Sequence, residues 1–245
     1  MKGIILAGDS GERLHPLTSG VPKSLLPIYD RPMVYYPLSV LLESGITEIL
    51  VITTNEEQDV FRRSLGNGRT FGAHISFACQ EKPEGIAQAI MIGREFIGSD
   101  SLCLVTGDTI IQGNSLQQQL SKAYKAADKS GNATIFVDQD YDPTQYGMVV
   151  LGEKGHLAEI AGVSSKPNYY SITGIYVFPN SVLKHIFKLE KSERNRYEIT
   201  SVSKVFQSQK KLQIQKLPSD CTWLDTSTVD GLINSSLFMQ KQRSL

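Results

Sequence analysis

Apolar and polar positions along the chain follow two periods that alternate through the first half. Short apolar runs stand at 3–7 (Gly3-Ile4-Ile5-Leu6-Ala7), 48–54, 75–79 and 101–106. Between them, stretches near 34–44, 56–65 and 86–97 carry helical spacing. Strand-length runs that are apolar on both faces, alternating with helices, predict an α/β fold with a mostly parallel sheet covered on both sides. In such sheets ligands bind beyond the carboxyl ends of the strands, where the strand order reverses. After about residue 130 the pattern loosens into strands at 132–138, 147–151, 157–161 and 171–178. Helices near 180–188 and 198–208, a strand near 211–217 and a closing helix from about 228 complete the reading. No internal repeat, low-complexity tract or Pro/Ser-rich linker interrupts it, so residues 1–245 read as one domain.

The candidate chemistry lies where strands end. The first strand empties into Gly8-Asp9-Ser10-Gly11-Glu12-Arg13-Leu14, and Pro22-Lys23-Ser24-Leu25-Leu26-Pro27 follows after a turn. A glycine-bearing loop after a buried strand can turn backbone N–H groups toward phosphate. Arg13 and Lys23 add two fixed positive charges, so the loop suits a polyphosphate. Asp108 ends another strand in Gly107-Asp108-Thr109, and Asp225 lies in Trp223-Leu224-Asp225-Thr226. Mg²⁺ takes one or two carboxylates together with phosphate oxygens and water, so this pair can serve it if the fold brings both to the cleft. Taken singly, each reads as a turn or helix-capping aspartate. Gln80 closes the 75–79 strand and Gly85 opens the next helix; an amide there can pair with a pyrimidine edge, although a glutamine after a strand is usually plain surface.

Two other classes fit less well. Ser10 stands where the middle glycine of G-x-G-x-x-G would be, which argues against a dinucleotide-binding dehydrogenase. Asp138-Gln139-Asp140 resembles the D-x-D of metal-dependent glycosyltransferases, but Pro143 follows closely and the stretch reads as a turn. That reading also leaves Arg13 and Lys23 without a role. His15, His74, His156 and His185 show no metal-ligand spacing.

Composition removes further classes. The 25 Lys+Arg and 25 Asp+Glu give zero net charge, with no basic stripe for nucleic acid. No apolar run approaches the ~20 residues of a membrane helix. The chain opens directly on its first strand, leaving no room for a signal peptide. Cys79, Cys103 and Cys221 are odd in number and widely spaced, which reads as reduced thiols in a cytoplasmic protein.

The same loops carry a family resemblance. Gly8 to Leu14, Leu14-His15-Pro16-Leu17-Thr18, Pro22-Lys23, Tyr35-Tyr36-Pro37-Leu38-Ser39, Gly107-Asp108, Tyr146-Gly147, Lys166-Pro167, Thr173-Gly174 and Trp223-Leu224-Asp225-Thr226 resemble the sugar-nucleotide pyrophosphorylases, over the whole chain. The resemblance implies a Rossmann-like fold of the nucleotide-diphospho-sugar transferase type, with a nucleotide-binding part at about 1–130 and a sugar-facing part at about 140–220. It implies Mg²⁺-dependent joining of a sugar 1-phosphate, glucose 1-phosphate first among candidates, to dTTP, giving a dTDP-sugar and pyrophosphate; UTP stays open as the nucleotide. By position, Arg13 and Lys23 would be catalytic, and Gly8, Asp9, Ser10, Gly11, Gln80 and Gly85 would bind nucleotide. Tyr146, Gly147, Ser165, Lys166, Thr173, Gly174 and Arg194 would hold the sugar phosphate, and Asp108 and Asp225 the metal. A dimer or tetramer is implied, and the chain resembles the family's short form.

The pattern also breaks inside the expected site. Asp9 replaces a second glycine; like charges ~4 Å apart repel by ~4 kcal/mol at an effective dielectric near 20. Asp9 has three ways to sit: pointing away, ligating Mg²⁺, or paired with Arg13. Ser165 replaces a glutamate that would accept bonds from sugar hydroxyls, which predicts altered sugar choice. Glu12, Thr109 and Ser227 depart as well, and Arg194-Asn195-Arg196-Tyr197-Glu198 replaces Arg-Gly-Glu-Leu-Glu. These departures favour, as the alternative, an impaired relative that binds a sugar nucleotide or a partner subunit.

Overall fold

A computed structural model of the chain describes residues 1–9, 11–139, 148–151, 157–161 and 169–243. In chain order the elements are β1 (Lys2–Leu6), β2 (Pro27–Ile28), β3 (Arg31–Pro32), α1 (Tyr35–Glu43), β4 (Glu48–Thr53), α2 (Gln58–Leu65), β5 (His74–Cys79), α3 (Gln88–Ile92), α4 (Arg94–Ile97), β6 (Leu102–Thr106) and β7 (Ile110–Gln112). There follow α5 (Leu116–Ser130), β8 (Ala133–Asp138), β9 (Met148–Leu151), β10 (Leu157–Ala161), β11 (Tyr169–Phe178), α6 (Leu183–Ile186), α7 (Ile199–Ser208), β12 (Leu212–Lys216), β13 (Thr222–Leu224) and α8 (Val229–Arg243).

One large sheet runs β10-β9-β11-β6-β1-β4-β5, with β8 on the other edge of β11 and β12 beyond it. The strands β6, β1, β4 and β5 are mutually parallel, in the register Ile4↔Leu104 and Ile4↔Leu50. These are the four apolar runs of the first half, and burial on both faces explains their composition. Ile4, Leu50, Ile52 and Leu104 face one apolar layer; Ile5, Ile49, Val51 and Val105 face the other. The strand β11 runs antiparallel to β6, β8 and β9, which turns the second half into a mixed sheet.

Several elements differ from the sequence pattern. The expected helix over 86–97 is split at Gly93 into α3 and α4, and the one near 180–188 shortens to a 3-10 turn and α6. Helix α5 was not predicted at all. It buries Leu116, Leu120, Ala123 and Ala127 against the sheet and closes on Gly131 (φ 66°), whose N–H donates to the Ala127 carbonyl at 3.2 Å. The small pairs β2–β3 and β7–β13 also went unseen. Cys103 lies in the core, and the three cysteines form no disulfide. No helix among the described residues is long and apolar enough to cross a membrane.

Candidate active site

Strands β1 and β6 are parallel neighbours, and the chain leaves β1 to pair β4 on its other side. Their carboxyl ends therefore form the crevice that a reversal of strand order creates. It opens as a cleft of about 560 Å³. One wall is the loop after β1. There Leu14 is fully buried and donates its N–H to the Gly11 carbonyl at 2.9 Å, and the Thr18 hydroxyl donates to the same carbonyl at 2.9 Å. Both bonds converge on Gly11 and anchor the loop there, and the exposed Arg13 lines the cleft mouth. The floor is Lys23, 6% exposed at the start of a 3-10 turn, with Gly107 and Asp108 beside it.

Lys23 lies between two carboxylates. Its ammonium contacts Asp108 Oδ2 directly and lies 3.4 Å from Asp9 Oδ2. Burial opposes the charge on Lys23, but Asp108 and then Asp9 outweigh it, so its pKa stands above the ordinary ammonium value. Burial likewise opposes ionisation of Asp108, and the Lys23 ammonium overrides it, holding that carboxyl below its usual range. Asp9 also accepts the Gly11 N–H at 3.3 Å through Oδ1. Its carboxylate thus takes the two kinds of donor, backbone N–H and lysine, that a phosphate would use there. Lys23 and the Gly11 N–H are partners that the sequence pattern did not point to for Asp9.

The rest of the lining comes from β11 and from the segment around Gly85. The β11–β8 register shifts between Ile172 and Tyr176, so Thr173 and Gly174 bulge into the cleft. Gly174 has φ 90°, and a Cβ there would stand 2.4 Å from the hydroxyls of Thr106 and Thr109, so only glycine fits. Gln80 is buried beside Gly8, and its amide donates to Gln88 Oε1 at 2.5 Å. Gly85 (φ 106°) presses on the backbone of Tyr197, where a Cβ would come 2.5 Å from the carbonyl oxygen.

Arg194 lies apart from these residues. Its side chain is 64% exposed and pairs with Glu198 at 3.2 Å, outside the cleft lining. Arg196, which the sequence reading passed over, lines the cleft instead. Its signal was the Arg-Asn-Arg break itself. Ser10, Tyr146, Gly147, Ser165, Lys166 and Asp140 lie outside the described residues.

A metal would be held by Asp108 and Asp225 in different degrees. The Asp108 carboxylate lines the cleft. Thr226 donates its hydroxyl to the Asp108 carbonyl at 3.0 Å, which ties the β13–α8 turn to the same floor. The Asp225 carboxylate, however, turns into the start of α8: Oδ1 accepts the Ser227 N–H at 2.8 Å and hydroxyl at 2.7 Å, and Oδ2 lies 3.4 Å from the Thr228 hydroxyl. It lines a separate hollow against α8. Among the described residues no three His, Cys, Asp or Glu side chains converge as a metal cage. A cation held largely by phosphate oxygens needs no such cage, so this donor set fits one through Asp108, with Asp225 as the second carboxylate.

A parallel-sheet crevice with a buried lysine, a mouth arginine and an aspartate defines a site for activated phosphates. Consistently, the nucleotidyl transferase family matches residues 2–242, and the chain belongs to that family. Among its relatives, the glucose-1-phosphate thymidylyltransferase of Neisseria meningitidis serogroup A is 42% identical over 246 residues, covering 100% of this chain and 84% of that protein. The enzyme of the same name from Mycolicibacterium smegmatis is 43% identical over 241 residues, covering 98% and 82%. A Bacillus anthracis protein solved in complex with a sucrose superposes with a TM-score of 0.88 at 29% identity, over 97% of this chain and 94% of that one.

Proposed function

We propose that the chain is a nucleotidyltransferase that joins a sugar 1-phosphate, glucose 1-phosphate first, to dTTP and releases pyrophosphate. One observation carries the reading: the buried Lys23 beside Asp108 at the carboxyl ends of β1 and β6, with Arg13 at the mouth of the same cleft. A sugar-phosphate oxygen attacks the α-phosphorus in line, the bond to the β-phosphate oxygen breaks, and pyrophosphate leaves with the electron pair. An anion attacking a polyanion requires alignment and positive charge, which this wall supplies. Lys23 exchanges Asp9 for a phosphate oxygen while keeping Asp108, and Arg13 stabilises the departing pyrophosphate. Mg²⁺ is the cation of this reading: Asp108, with Asp225 as second carboxylate, would hold it, and when bound it neutralises charge on the phosphate oxygens. Residues 1–130 form the nucleotide part of one domain and 140–220 the sugar-facing part.

A second reading, an impaired relative that binds without turnover, is favoured by the Asp9 carboxylate on Lys23 and on the Gly11 N–H. Pyrophosphate release with Mg²⁺, offering dTTP and UTP against a panel of sugar 1-phosphates, separates the two. Release with any pair establishes transfer and identifies the sugar; silence from folded protein that binds a nucleotide sugar establishes the second reading.

A further inference from the structure

The segment 190–198 carries three cations, and the structure sorts them. Lys191 Nζ pairs with Glu84 at 2.6 Å. Arg194 pairs with Glu198 Oε1 at 3.2 Å, and the same oxygen accepts the Ser192 hydroxyl at 3.0 Å, which fixes that side chain to its own loop. Arg196 has no carboxylate partner among the described residues, and it lines the cleft.

Its position is held by backbone on both sides. The Arg196 carbonyl accepts the Ser192 N–H at 2.9 Å, and Asn195, at φ 56°, donates to the Ser192 carbonyl at 2.8 Å, closing a tight turn. The next residue, Tyr197, donates to the Glu84 carbonyl at 2.6 Å and accepts the Ala87 N–H at 3.2 Å. Arg196 therefore leaves a turn docked on the Glu84–Ala87 segment of the cleft lining. Lys23 and Arg13 reach the cleft from the two N-terminal loops, and Arg196 brings a guanidinium to it from a separate segment.

Within the reading given above, on which this rests, the reaction brings two anions into the cleft. The triphosphate fits the glycine loop, Arg13 and Lys23. The sugar 1-phosphate is a monoester near full charge at neutral pH, and a planar guanidinium grips such a group with two parallel N–H bonds. We propose that Arg196, not Arg194, binds the phosphate of the sugar 1-phosphate.

Steady-state kinetics of Arg196→Gln, Arg196→Lys and Arg194→Gln test this, with each substrate varied in turn. Arg196→Gln raises KM for the sugar 1-phosphate by about tenfold to a hundredfold, as loss of a charge-assisted bond requires, and shifts KM for dTTP far less. Arg196→Lys recovers part of the loss, since a point charge replaces the fork. Arg194→Gln gives the smaller effect. A rise confined to dTTP, or a larger loss from Arg194→Gln, overturns the proposal. Calorimetric titration with glucose 1-phosphate and with inorganic phosphate reads the same contact without turnover. Heat seen with the unmodified protein and lost in Arg196→Gln upholds the assignment even where no pyrophosphate is released, a result that would sink only the transferase reading. Equal heat in the two proteins, or none with either probe, overturns it.

Discussion

Replacing Asp9 by asparagine removes one negative charge from the phosphate loop and nearly preserves the side chain's shape. In the folded chain that charge lies 3.4 Å from the Lys23 ammonium. Two unit charges at that separation interact by about 1 kcal/mol in bulk water and about 5 kcal/mol at an effective dielectric near 20. The Asp9 side chain is 55% exposed, so the aqueous end of the range applies, as it does for surface pairs generally. A nucleotide phosphate that takes Lys23 must break this contact and then lie beside the displaced carboxylate, which adds repulsion of similar size. The sum, about 1–2 kcal/mol, corresponds to roughly five- to thirtyfold tighter nucleotide binding in Asp9→Asn. Calorimetric titration with dTTP measures it, and the gain should shrink at high salt because exposed charges are screened. Unchanged or weaker binding in Asp9→Asn would refute the reasoning and give Asp9 a supporting role with the bound nucleotide.

Other expected outcomes follow from the same geometry. Lys23→Met keeps the buried volume but removes the cation, and should lower kcat by about a hundred- to a thousandfold, the usual cost of one preorganised charge-stabilising donor; steady-state rates check it, and a loss under tenfold would take Lys23 out of the reacting centre. Asp225→Ala removes the acceptor for Ser227 and Thr228 at the start of α8, so thermal unfolding should show about 1 kcal/mol of lost stability whether or not metal is present. For pH, the signs of the Asp108 and Lys23 shifts oppose each other. The lowered Asp108 contributes stability above the ordinary carboxylate range that is lost as pH falls through its depressed value, and the raised Lys23 contributes stability below the ordinary lysine range that is lost as pH rises through its elevated value. Denaturant midpoints of the native protein and Lys23→Met should therefore keep a constant gap from about pH 5 to 9, bracketed by the ordinary values near 4 and 10, and converge outside it.

The first-half strands were legible because a parallel strand buried on both faces must be apolar throughout, and β1, β4, β5 and β6 all are. Helix α5 was not, because Ala123 and Ala127 form half its buried face and give a weak periodic signal. The pairs β2–β3 and β7–β13 are two or three residues long and exist only through partners elsewhere. In the site, Gly8 to Arg13 and Lys23 could be read together because one loop and one turn carry them. The Asp9–Lys23 contact could not, since it depends on how that turn folds beneath the loop. Arg194 was favoured over Arg196 by motif position alone. That Arg196 lines the cleft follows from backbone bonds from Tyr197 to Glu84 and Ala87, which short-range pattern does not encode. The turning of Asp225 into α8 is equally a product of tertiary placement.

The most direct test is a ³¹P NMR time course of purified protein with Mg²⁺, dTTP and glucose 1-phosphate. Transfer predicts loss of the γ- and β-phosphate resonances and of the sugar monoester, with a coupled pair of diphosphate-ester signals and pyrophosphate appearing in equal amounts. Unchanged triphosphate and monoester signals from folded protein, or orthophosphate without a diphosphate ester, would contradict it.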